Sequence, residues 1–404
     1  MNVSRQSLIL GLSHALDIAA GNNLSHSKST AYLSVLIGQK IGLDEGSILE
    51  IFYAALLHDI GWSNFGKTMA HCIEGEIMLR KLPLSREIVK SVLYHHEFFD
   101  GTGAFKLSGD DIPISSQITG FASCFDNDFS HAAKDYDRDL FVTIREWLLR
   151  NSSLFSKVVI NAFSDLIEHE FFLLDFFNQE AKYSFPDKTP VADNTYYGYD
   201  DVVKYAQCFA DIIDRKSTFT YTHSHGIASL ARNATAGLGY NHETQDKMYV
   251  AGLLHDIGKL HIPTTILHKN GDLTPEERFE INKHSYYTRR ILEQIQGLED
   301  IVDIAANHHE RVDGDGYPYR LSGSQLGGLD KIMAICDVYQ ALSEARPYRE
   351  RLSPRSVWGI IDFMAENGHL DHNLVMQIKQ LFDLSQLETP LPARMRWLAR
   401  ERAG

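Results

Sequence analysis

An internal repeat of histidines and aspartates constrains the fold of this chain more than any other feature. Residues 54–61 read AALLHDIG, and residues 251–258 read AGLLHDIG. In both copies a histidine stands 32 residues before the His-Asp pair, and another stands 24 residues before a His-His pair. The matched positions are His26 and His223, His58 and His255, Asp59 and Asp256, His71 and His284, His95 and His308, His96 and His309, and Asp126 and Asp337. Chance does not place such a set twice at nearly equal gaps, so the chain is predicted to contain two copies of one domain.

The spacing of apolar residues predicts that both copies are helical. Ile227, Leu230, Ala231, Ala234 and Leu238 follow the i, i+3, i+4, i+7, i+11 pattern of one helix face. Strand-like alternation is scarce along the chain. We therefore expect an all-α fold in which helices pack pairwise around inner faces that carry the histidines.

A stretch rich in turn-forming residues marks the boundary between the copies. Residues 182–201 read KYSFPDKTPVADNTYYGYDD, and they follow an apolar-striped segment, 158–178, that predicts one long helix. The expected parts are a domain with trailing helices over 1–181, a linker over 182–198, a second domain over 199–390 and a basic tail over 391–404. The tail is predicted to be a solvated terminal helix, and no role is assigned to it.

Composition argues against several classes of function. The net charge of −14, without a Lys/Arg cluster interleaved with aromatic residues, disfavours polynucleotide binding. No run of 18 apolar residues is present, and the N-terminal segment lacks a signal-peptide cleavage pattern, so we expect neither a membrane span nor secretion. The four cysteines are scattered without a CxxC pair, which disfavours disulfides and a thiolate zinc site and fits a reducing cytoplasm.

The second copy carries a set of side chains that suits transition metals. The set is His223, His255, Asp256, His284, His308, His309 and Asp337. Imidazoles mixed with carboxylates favour iron, manganese, cobalt, nickel or zinc over calcium. At a helix end His255 can bind one ion while the carboxylate of Asp256 bridges to a second. A pair of ions about 3.5–4 Å apart can hold hydroxide and neutralise phosphodiester oxygens, so the pattern predicts phosphoester hydrolysis.

Six segments of the second half occur in a fixed order that identifies a family. They are HSHGIASLA, LLHDIGKLHIP, ILHKNGDLTPEE, NKHSYYTRRIL, NHHERVDGDGYP and ICDVYQALSEARPYR. Between Tyr199 and Leu381 the chain thereby resembles the HD-GYP phosphodiesterases, a subgroup of the HD phosphohydrolase superfamily. The HD dipeptide alone is a weak signal, whereas the ordered set is a strong one.

The resemblance implies two metal positions and a substrate. One ion is expected among His223, His255, Asp256 and Asp337, and the second among Asp256, His284, His308 and His309. Both are expected to be divalent transition metals, iron or manganese first, with nickel, cobalt or zinc as alternatives. The implied reaction opens cyclic di-GMP or 3',3'-cyclic GMP-AMP to a linear dinucleotide.

The resemblance also implies residues that contact the substrate. Lys259, which follows the HD pair, is expected beside the scissile phosphate, so Asp256 and Lys259 are the predicted catalytic residues. The expected substrate-binding residues are Arg311, Lys269, Gly316, Tyr317 and Pro318, of which the last three form the signature loop.

A few positions depart from the family pattern. Members with three metals carry a glutamate where this chain has Phe219, so two ions are predicted, although the nearby His225 leaves a third open. Asn270 stands where proline is usual, and Gln340 where aspartate is usual. Neither departure removes a predicted ligand.

The first copy keeps a histidine or an aspartate at every predicted ligand position but lacks other features of the second copy. Its possible metal site consists of His26, His58, Asp59, His71, His95, His96 and Asp126. Trp62 stands in place of the lysine, Ala104-Phe105 stand in place of Tyr-Pro, and the segment between the HD pair and the next histidine is 16 residues shorter. A domain that can hold metal without clamping a phosphate is predicted to be regulatory or structural.

Two other functions remain open on the sequence. An HD phosphohydrolase could act on other nucleotides, and a non-catalytic receptor could bind a cyclic dinucleotide without cutting it. The retained lysine and the complete metal set favour catalysis. The preferred base, the metal and the oligomeric state, a homodimer among the options, are not determined by the sequence.

Overall fold

The computed structural model describes residues 1–19, 26–61, 69–130, 138–178, 193–216, 223–344 and 350–382. Within them the fold is almost entirely helical, as predicted. The helices before the linker are α1 (Arg5–Ala19), α2 (His26–Ile41), α3 (Glu45–Leu57), α4 (Met69–Leu79), α5 (Arg86–Tyr94), α6 (Ile114–Phe129), α7 (Arg138–Arg150), α8 (Lys157–Ile167) and α9 (Glu170–Phe177). Those after it are α10 (Tyr199–Lys216), α11 (His223–Gly237), α12 (His242–Leu254), α13 (Thr264–Leu267), α14 (Pro275–Leu292), α15 (Glu299–Ala306), α16 (Gly328–Ser343), α17 (Pro354–Glu366) and α18 (His372–Phe382). Short 3-10 helices span Gly109–Asp111 and Ile257–His261.

The two copies repeat one packing arrangement. Helix α2 packs against α3 and α6, and α11 packs in the same way against α12 and α16. Asp44 caps α3 by accepting from the Ser47 amide at 3.0 Å, and Asn241 caps α12 by accepting from the Thr244 amide at 2.9 Å. Both helices then end at the histidine of their HD pair. The aspartate of each pair therefore lies just beyond a helix end, where it can turn toward the neighbouring helices.

The region around the predicted boundary differs from expectation in two ways. The single helix expected over 158–178 is two helices, because His169 adopts an extended backbone with φ −99° and ψ 109° between α8 and α9. Of the predicted linker, 182–192 lies outside the described residues, as does the predicted tail, 391–404.

The end of the linker is joined to the N-terminus of the chain. Strand β1 (Val3–Ser4) pairs antiparallel with strand β2 (Tyr196–Tyr197). Asp193 accepts a hydrogen bond from Arg5 at 2.5 Å and another from the hydroxyl of Tyr53. The segment that enters the second domain is thus tied to the first.

Helix α1 packs against both copies. It contacts α2 and α3 in the first domain, and α14 and the Ile257–His261 turn in the second. Gly11 permits the second contact, since a Cβ there would lie 2.6 Å from Cγ1 of Ile295. The first helix therefore belongs to the interface between the copies as much as to the first domain.

Among the described residues, the structure contains no helix that combines the length and the apolar character needed to cross a membrane.

Candidate active site

The seven predicted residues of the second copy converge on one centre. His223 begins α11, His255 and Asp256 follow α12, His284 lies within α14, His308 and His309 follow α15, and Asp337 lies within α16. All but His309 are buried. The centre is thus assembled from helix ends and inner helix faces that are far apart in sequence.

Asp256 lies in the middle of this centre. Its Oδ2 is 3.1 Å from Nε2 of His255 and 3.9 Å from Nε2 of His223. Its Oδ1 is 3.4 Å from Nε2 of His284 and 3.8 Å from Nε2 of His308. Because each carboxylate oxygen faces a different pair of histidines, the arrangement suits one carboxylate that bridges two cation positions.

Backbone hydrogen bonds orient three of these imidazoles. Each donates Nδ1–H to the carbonyl three residues earlier, and the distances are 2.8, 2.7 and 2.7 Å. The pairs are His255 with Gly252, His284 with Ile281, and His308 with Ala305. With Nδ1 engaged in this way, Nε2 is the atom that each ring offers to a ligand.

A glycine in each HDIG segment allows the third histidine to approach. A Cβ on Gly258 would lie 1.9 Å from the carbonyl oxygen of His284, and a Cβ on Gly61 would lie 2.0 Å from that of His71. Only a residue without a side chain fits at either position. The repeated glycine is therefore part of the geometry of both centres.

Burial and charge leave three of the histidines and the central aspartate in the protonation states that a metal requires, whereas Asp256 and Asp337 outweigh burial at His255 and raise its pKa. Burial lowers the pKa of His284 to about 4, and it holds the pKa of His308 and of His309 well below the usual range. Burial would raise the pKa of Asp256, but His255 and Lys259 reverse that effect and hold it well below its ordinary value. Neutral imidazoles and an ionised carboxylate are the ligand forms that bind cations.

Two buried atoms at the centre support a cation there. Nε2 of His255 and Oδ1 of Asp256 are fully buried and make no well-aligned hydrogen bond within the described part of the chain, although Nε2 lies 3.1 Å from Oδ2 of Asp256. Buried polar atoms are normally paired, because leaving them unpaired costs about 1–3 kcal/mol. His223, His255 and Asp256 each offer a donor atom within 4.8 Å of the others, and so do His284, His308 and His309. The residues present fit a pair of metal ions.

A cavity of about 460 Å³ opens onto the centre. His223, Asp256, His284, His309 and Asp337 line its floor, and residues between 266 and 273 form one wall. This volume falls in the range of roughly 300–1,000 Å³ that is typical of small-molecule sites. The element ILHKNGDLTPEE, which the first copy lacks, thus borders the space above the metal positions.

The predicted catalytic lysine reaches the centre. Lys259 lines the cavity, and its Nζ lies 2.5 Å from Oδ2 of Asp256. Lys269 lines the cavity as well, with its Nζ 2.5 Å from Oε2 of Glu277. Asn270, one of the departures from the family pattern, is also part of the wall.

The signature loop contributes one side chain to the cavity. The ring of Tyr317 lies 4.8 Å from that of His309 and lines the cavity, whereas Arg311, Gly316 and Pro318 do not line it. Gly316 instead permits close packing, since a Cβ there would lie 2.4 Å from the amide nitrogen of Arg311. The peptide bond between Tyr317 and Pro318 is cis.

His225, the residue that left a third metal ion open, makes its contacts elsewhere. His225 turns away from the centre, because its Nε2 contacts Oδ1 of Asp211 at 2.9 Å. It lines a separate cavity together with Met78 and Lys81 of the first domain. Phe219 lies outside the described residues.

The sequence analysis missed a carboxylate that orients the first histidine. Oε2 of Glu344 accepts from Nδ1 of His223 at 2.9 Å, and this leaves Nε2 directed at Asp256 and Asp337. Glu344 belongs to no repeated pair and follows no metal-ligand spacing, so it could not be identified from the sequence.

Two further carboxylates recur in both copies and were also missed. Asp214 accepts from the amide and hydroxyl of Ser224 at 3.2 and 2.7 Å, and Asp17 holds Ser27 in the same way. Glu310, after the His-His pair, accepts from the amides of Tyr319 and Leu321, which follow the signature loop. Extending the comparison of the copies upstream of the first histidine would have revealed the aspartates, because both precede the serine by ten residues.

The signature loop has a shorter counterpart in the first copy. Glu97 accepts from the amide of Phe105 as Glu310 accepts from that of Tyr319. The residues that follow, Lys106 and Arg320, both have positive φ, of 61° and 56°. Phe105 therefore corresponds to Tyr319 and not to Pro318. The prediction that Ala104-Phe105 stand in place of Tyr317-Pro318 is wrong by one residue.

The first copy reproduces the central carboxylate. Oδ2 of Asp59 lies 3.5 Å from Nε2 of His58 and 3.8 Å from Nε2 of His26, and its Oδ1 lies 3.7 Å from Nε2 of His71. Asp126 differs from its counterpart Asp337. Its Oδ2 contacts Nδ1 of His26 at 2.7 Å, the place that Glu344 occupies in the second copy.

The fold and the paired His/Asp centres define a tandem HD-domain protein, and comparisons with known proteins agree. The HD-domain family model matches residues 23–128, and a second HD-domain model matches residues 207–374. The 3'3'-cGAMP-specific phosphodiesterase 1 of Vibrio cholerae is 30% identical over 96% of this chain and 95% of its own length. The chain belongs to the HD-GYP phosphodiesterase family, whose members depend on metal.

Other relatives differ in how much of the chain they match. The 3'3'-cGAMP-specific phosphodiesterase 3 of the same organism is 24% identical over 95% of this chain and 96% of its own. A cyclic di-GMP phosphodiesterase of Pseudomonas aeruginosa is 35% identical over 42% of this chain and 41% of its own. The crystal structure of V-cGAP3, a cyclic GMP-AMP-specific phosphodiesterase of V. cholerae, superposes with a TM-score of 0.72, 21% identity and coverage of 98% and 100% of the two chains. It confirms the fold of both copies.

Proposed function

We propose that this protein is a metal-dependent phosphodiesterase that opens a cyclic dinucleotide to the linear form at the C-terminal centre. The observation that carries the proposal is the position of Asp256, which faces two groups of histidines at the base of a cavity that also receives Lys259. A receptor that only binds would not need this complete set.

We propose 3',3'-cyclic GMP-AMP as the preferred substrate, ahead of cyclic di-GMP. The relatives that match nearly the whole chain, both HD domains included, are named as specific for cyclic GMP-AMP. The cyclic di-GMP phosphodiesterase of P. aeruginosa matches 42% of the chain.

We assign two divalent ions to the centre. His223, His255, Asp256 and Asp337 would hold the first, and Asp256, His284, His308 and His309 the second. Iron or manganese suits this set of imidazoles and carboxylates best. When bound, the ions supply Lewis acidity and a water nucleophile at neutral pH.

The protein side chains position and neutralise the substrate. The ammonium of Lys259, now 2.5 Å from Oδ2 of Asp256, lies where it can donate to a phosphate oxygen above the carboxylate. Lys269 and Tyr317 border the same cavity and would contact the remainder of the dinucleotide. Arg311 does not line the cavity, so we assign it an indirect role beside the loop.

The test uses anaerobically purified, metal-analysed protein with cyclic GMP-AMP and with cyclic di-GMP in parallel, and chromatography of the products. We expect a linear dinucleotide from cyclic GMP-AMP, formed at least about tenfold faster in kcat/KM than from cyclic di-GMP. Tight binding without a product would identify a receptor. Equal kcat/KM values would contradict the proposed base preference and leave the phosphodiesterase assignment standing.

A further inference from the structure

The N-terminal centre contains a thiol that the C-terminal centre lacks. Cys72 follows His71 on helix α4, and both side chains are buried. The Sγ of Cys72 lies 3.6 Å from Nε2 of His71 and 3.9 Å from Nδ1 of His95. His71, Cys72, His95 and His96 each offer a donor atom within 4.8 Å of the others. The thiol therefore faces ring nitrogens and not only apolar neighbours.

The matching position in the second copy is a hydroxyl. Ser285 follows His284, and its Oγ lies 3.3 Å from Nε2 of that histidine. A neutral hydroxyl is a weak ligand, whereas a thiolate is among the strongest ligands for zinc and other soft or borderline ions. The exchange of serine for cysteine thus changes the chemistry of the site while the helices stay in place.

Two of the distances between the ligand atoms suit a four-coordinate ion. Zinc–nitrogen bonds of about 2.0–2.1 Å and zinc–sulfur bonds of about 2.3 Å in a tetrahedron place the ligand atoms about 3.3–3.6 Å apart. Nε2 of His71 lies 3.3 Å from Nε2 of His95 and 3.6 Å from Sγ of Cys72. Nδ1 of His95 donates to the carbonyl of Val92 at 2.6 Å, so Nε2 is the ring atom that faces the site.

We propose that the N-terminal domain binds one zinc-type ion through His71, Cys72, His95 and His96. Four protein ligands close the coordination sphere, so the ion has a structural role and offers no open position for hydrolysis. The sequence predicted no thiolate zinc site, because the four cysteines form no CxxC pair; in the structure a single thiol lies beside its neighbour His71 and the His95-His96 pair of another segment. The proposal concerns a site outside the catalytic centre and does not depend on the substrate.

The test is cobalt substitution in the full chain. The Asp256→Ala variant, which should lose the C-terminal ions, is stripped of metal under reducing conditions and reloaded with Co²⁺. We expect a thiolate-to-cobalt charge-transfer band in the near ultraviolet that Cys72→Ser removes, since this substitution creates the side chain found at the matching position of the second copy. Cys124→Ser, at a partly buried cysteine on helix α6, is the matched control and should keep the band.

Elemental analysis gives a second readout. After dialysis against a chelator, Cys72→Ser should retain at least about tenfold less zinc than Cys124→Ser, because a direct ligand should contribute at least as much to affinity as an outer-shell partner, whose loss commonly costs about 10–100-fold. Cobalt bound without the charge-transfer band, or a band that survives in Cys72→Ser, would overturn the proposal, as would a first domain that takes up no metal. If Asp256→Ala does not fold, the comparison of the two cysteine variants in the otherwise native chain decides the same question.

Discussion

The two domains share the arrangement of their central residues and differ in what surrounds them. Asp59 and Asp256 both direct one oxygen at the first two histidines and the other at the third. Beside Asp256 stand Lys259 and a cavity walled by residues 266–273. The comparison shows that the same helix ends and inner helix faces bring the histidines and the aspartate together in both domains, whereas the cavity also requires a segment that the first domain lacks.

The domains also differ in how they hold the first histidine. Glu344 accepts from Nδ1 of His223, which leaves Asp337 on the Nε2 side at 4.0 Å. In the first domain Asp126 itself takes the Nδ1 position of His26. In the first domain Asp126 thus orients His26, whereas in the second domain its counterpart Asp337 lies near the proposed metal positions. Whether Asp126 ligates a metal stays a prediction.

Helix α1 connects the two centres. Through Asp17 it holds the start of α2, where His26 lies, and it also packs against the Ile257–His261 turn that carries Lys259. A change at the first centre therefore has a direct structural route to Lys259, the proposed catalytic lysine. A coupling through such a route is typically worth about 1–3 kcal/mol.

Metal removal should have the largest effect and should separate the domains by affinity. Treatment with a chelator is expected to abolish phosphodiesterase turnover, because the charge that faces the phosphate is lost with the ions. Manganese or ferrous iron should restore the rate, whereas the thiolate site should retain zinc longest. Turnover that persists in protein shown by elemental analysis to be metal-free would rule out a metal-dependent mechanism.

Replacement of the proposed catalytic lysine should lower the rate without changing the metal content. Lys259→Ala is expected to lower kcat by about 10²–10³-fold, the usual cost of removing one group that stabilises charge in the transition state. The metal content should stay unchanged, because Nζ contacts the carboxylate and supplies no ligand atom. Kinetics and elemental analysis on the same preparation check both points, and a parallel loss of metal would show that Lys259 supports the centre and not the substrate.

The carboxylates that orient the first histidines should matter unequally. Glu344→Gln is expected to weaken metal binding and turnover by about 10–100-fold, as outer-shell partners of metal-bound histidines commonly do. The matched change Asp126→Asn acts on the first domain and should alter turnover by less than about threefold. Metal titrations and kcat/KM on both variants make the comparison. Equal losses of turnover would mean that the first centre takes part in the reaction.

Perturbation of helix α1 should affect activity less than the loss of Glu344 does. Gly11→Val inserts a side chain at a position where even a Cβ would lie 2.6 Å from Cγ1 of Ile295. The free energy of unfolding should therefore fall by about 1–3 kcal/mol. If the route through α1 couples the centres, kcat/KM should shift by about 5-fold or more. Gly359→Val, on helix α17 where a Cβ meets no atom within 4 Å, is the control. Denaturant unfolding measures the loss of stability, and kinetics measures the change in kcat/KM. Unchanged kcat/KM in a destabilised Gly11→Val protein would rule out the coupling.

Much of the fold and the centre could be predicted from the sequence because the signal is repeated. Equal gaps between His and Asp in two copies indicated the domains, and helical periodicity indicated the class of fold. The break between α8 and α9 was missed because the apolar pattern continues across His169, and periodicity does not register a change in one backbone angle. Glu344 and Cys72 act through tertiary contacts, which a single sequence does not display.

The most direct test of the account compares Asp256→Ala with Asp59→Ala in the full chain. Both remove a carboxylate that faces two groups of histidines, and only the first borders the lysine and the cavity. The account predicts that Asp256→Ala lowers the opening of cyclic GMP-AMP by at least roughly a thousandfold and empties the C-terminal centre, while Asp59→Ala keeps turnover within about fivefold of the native protein. Retained turnover in Asp256→Ala, or its loss in Asp59→Ala, would contradict the assignment of catalysis to the C-terminal domain.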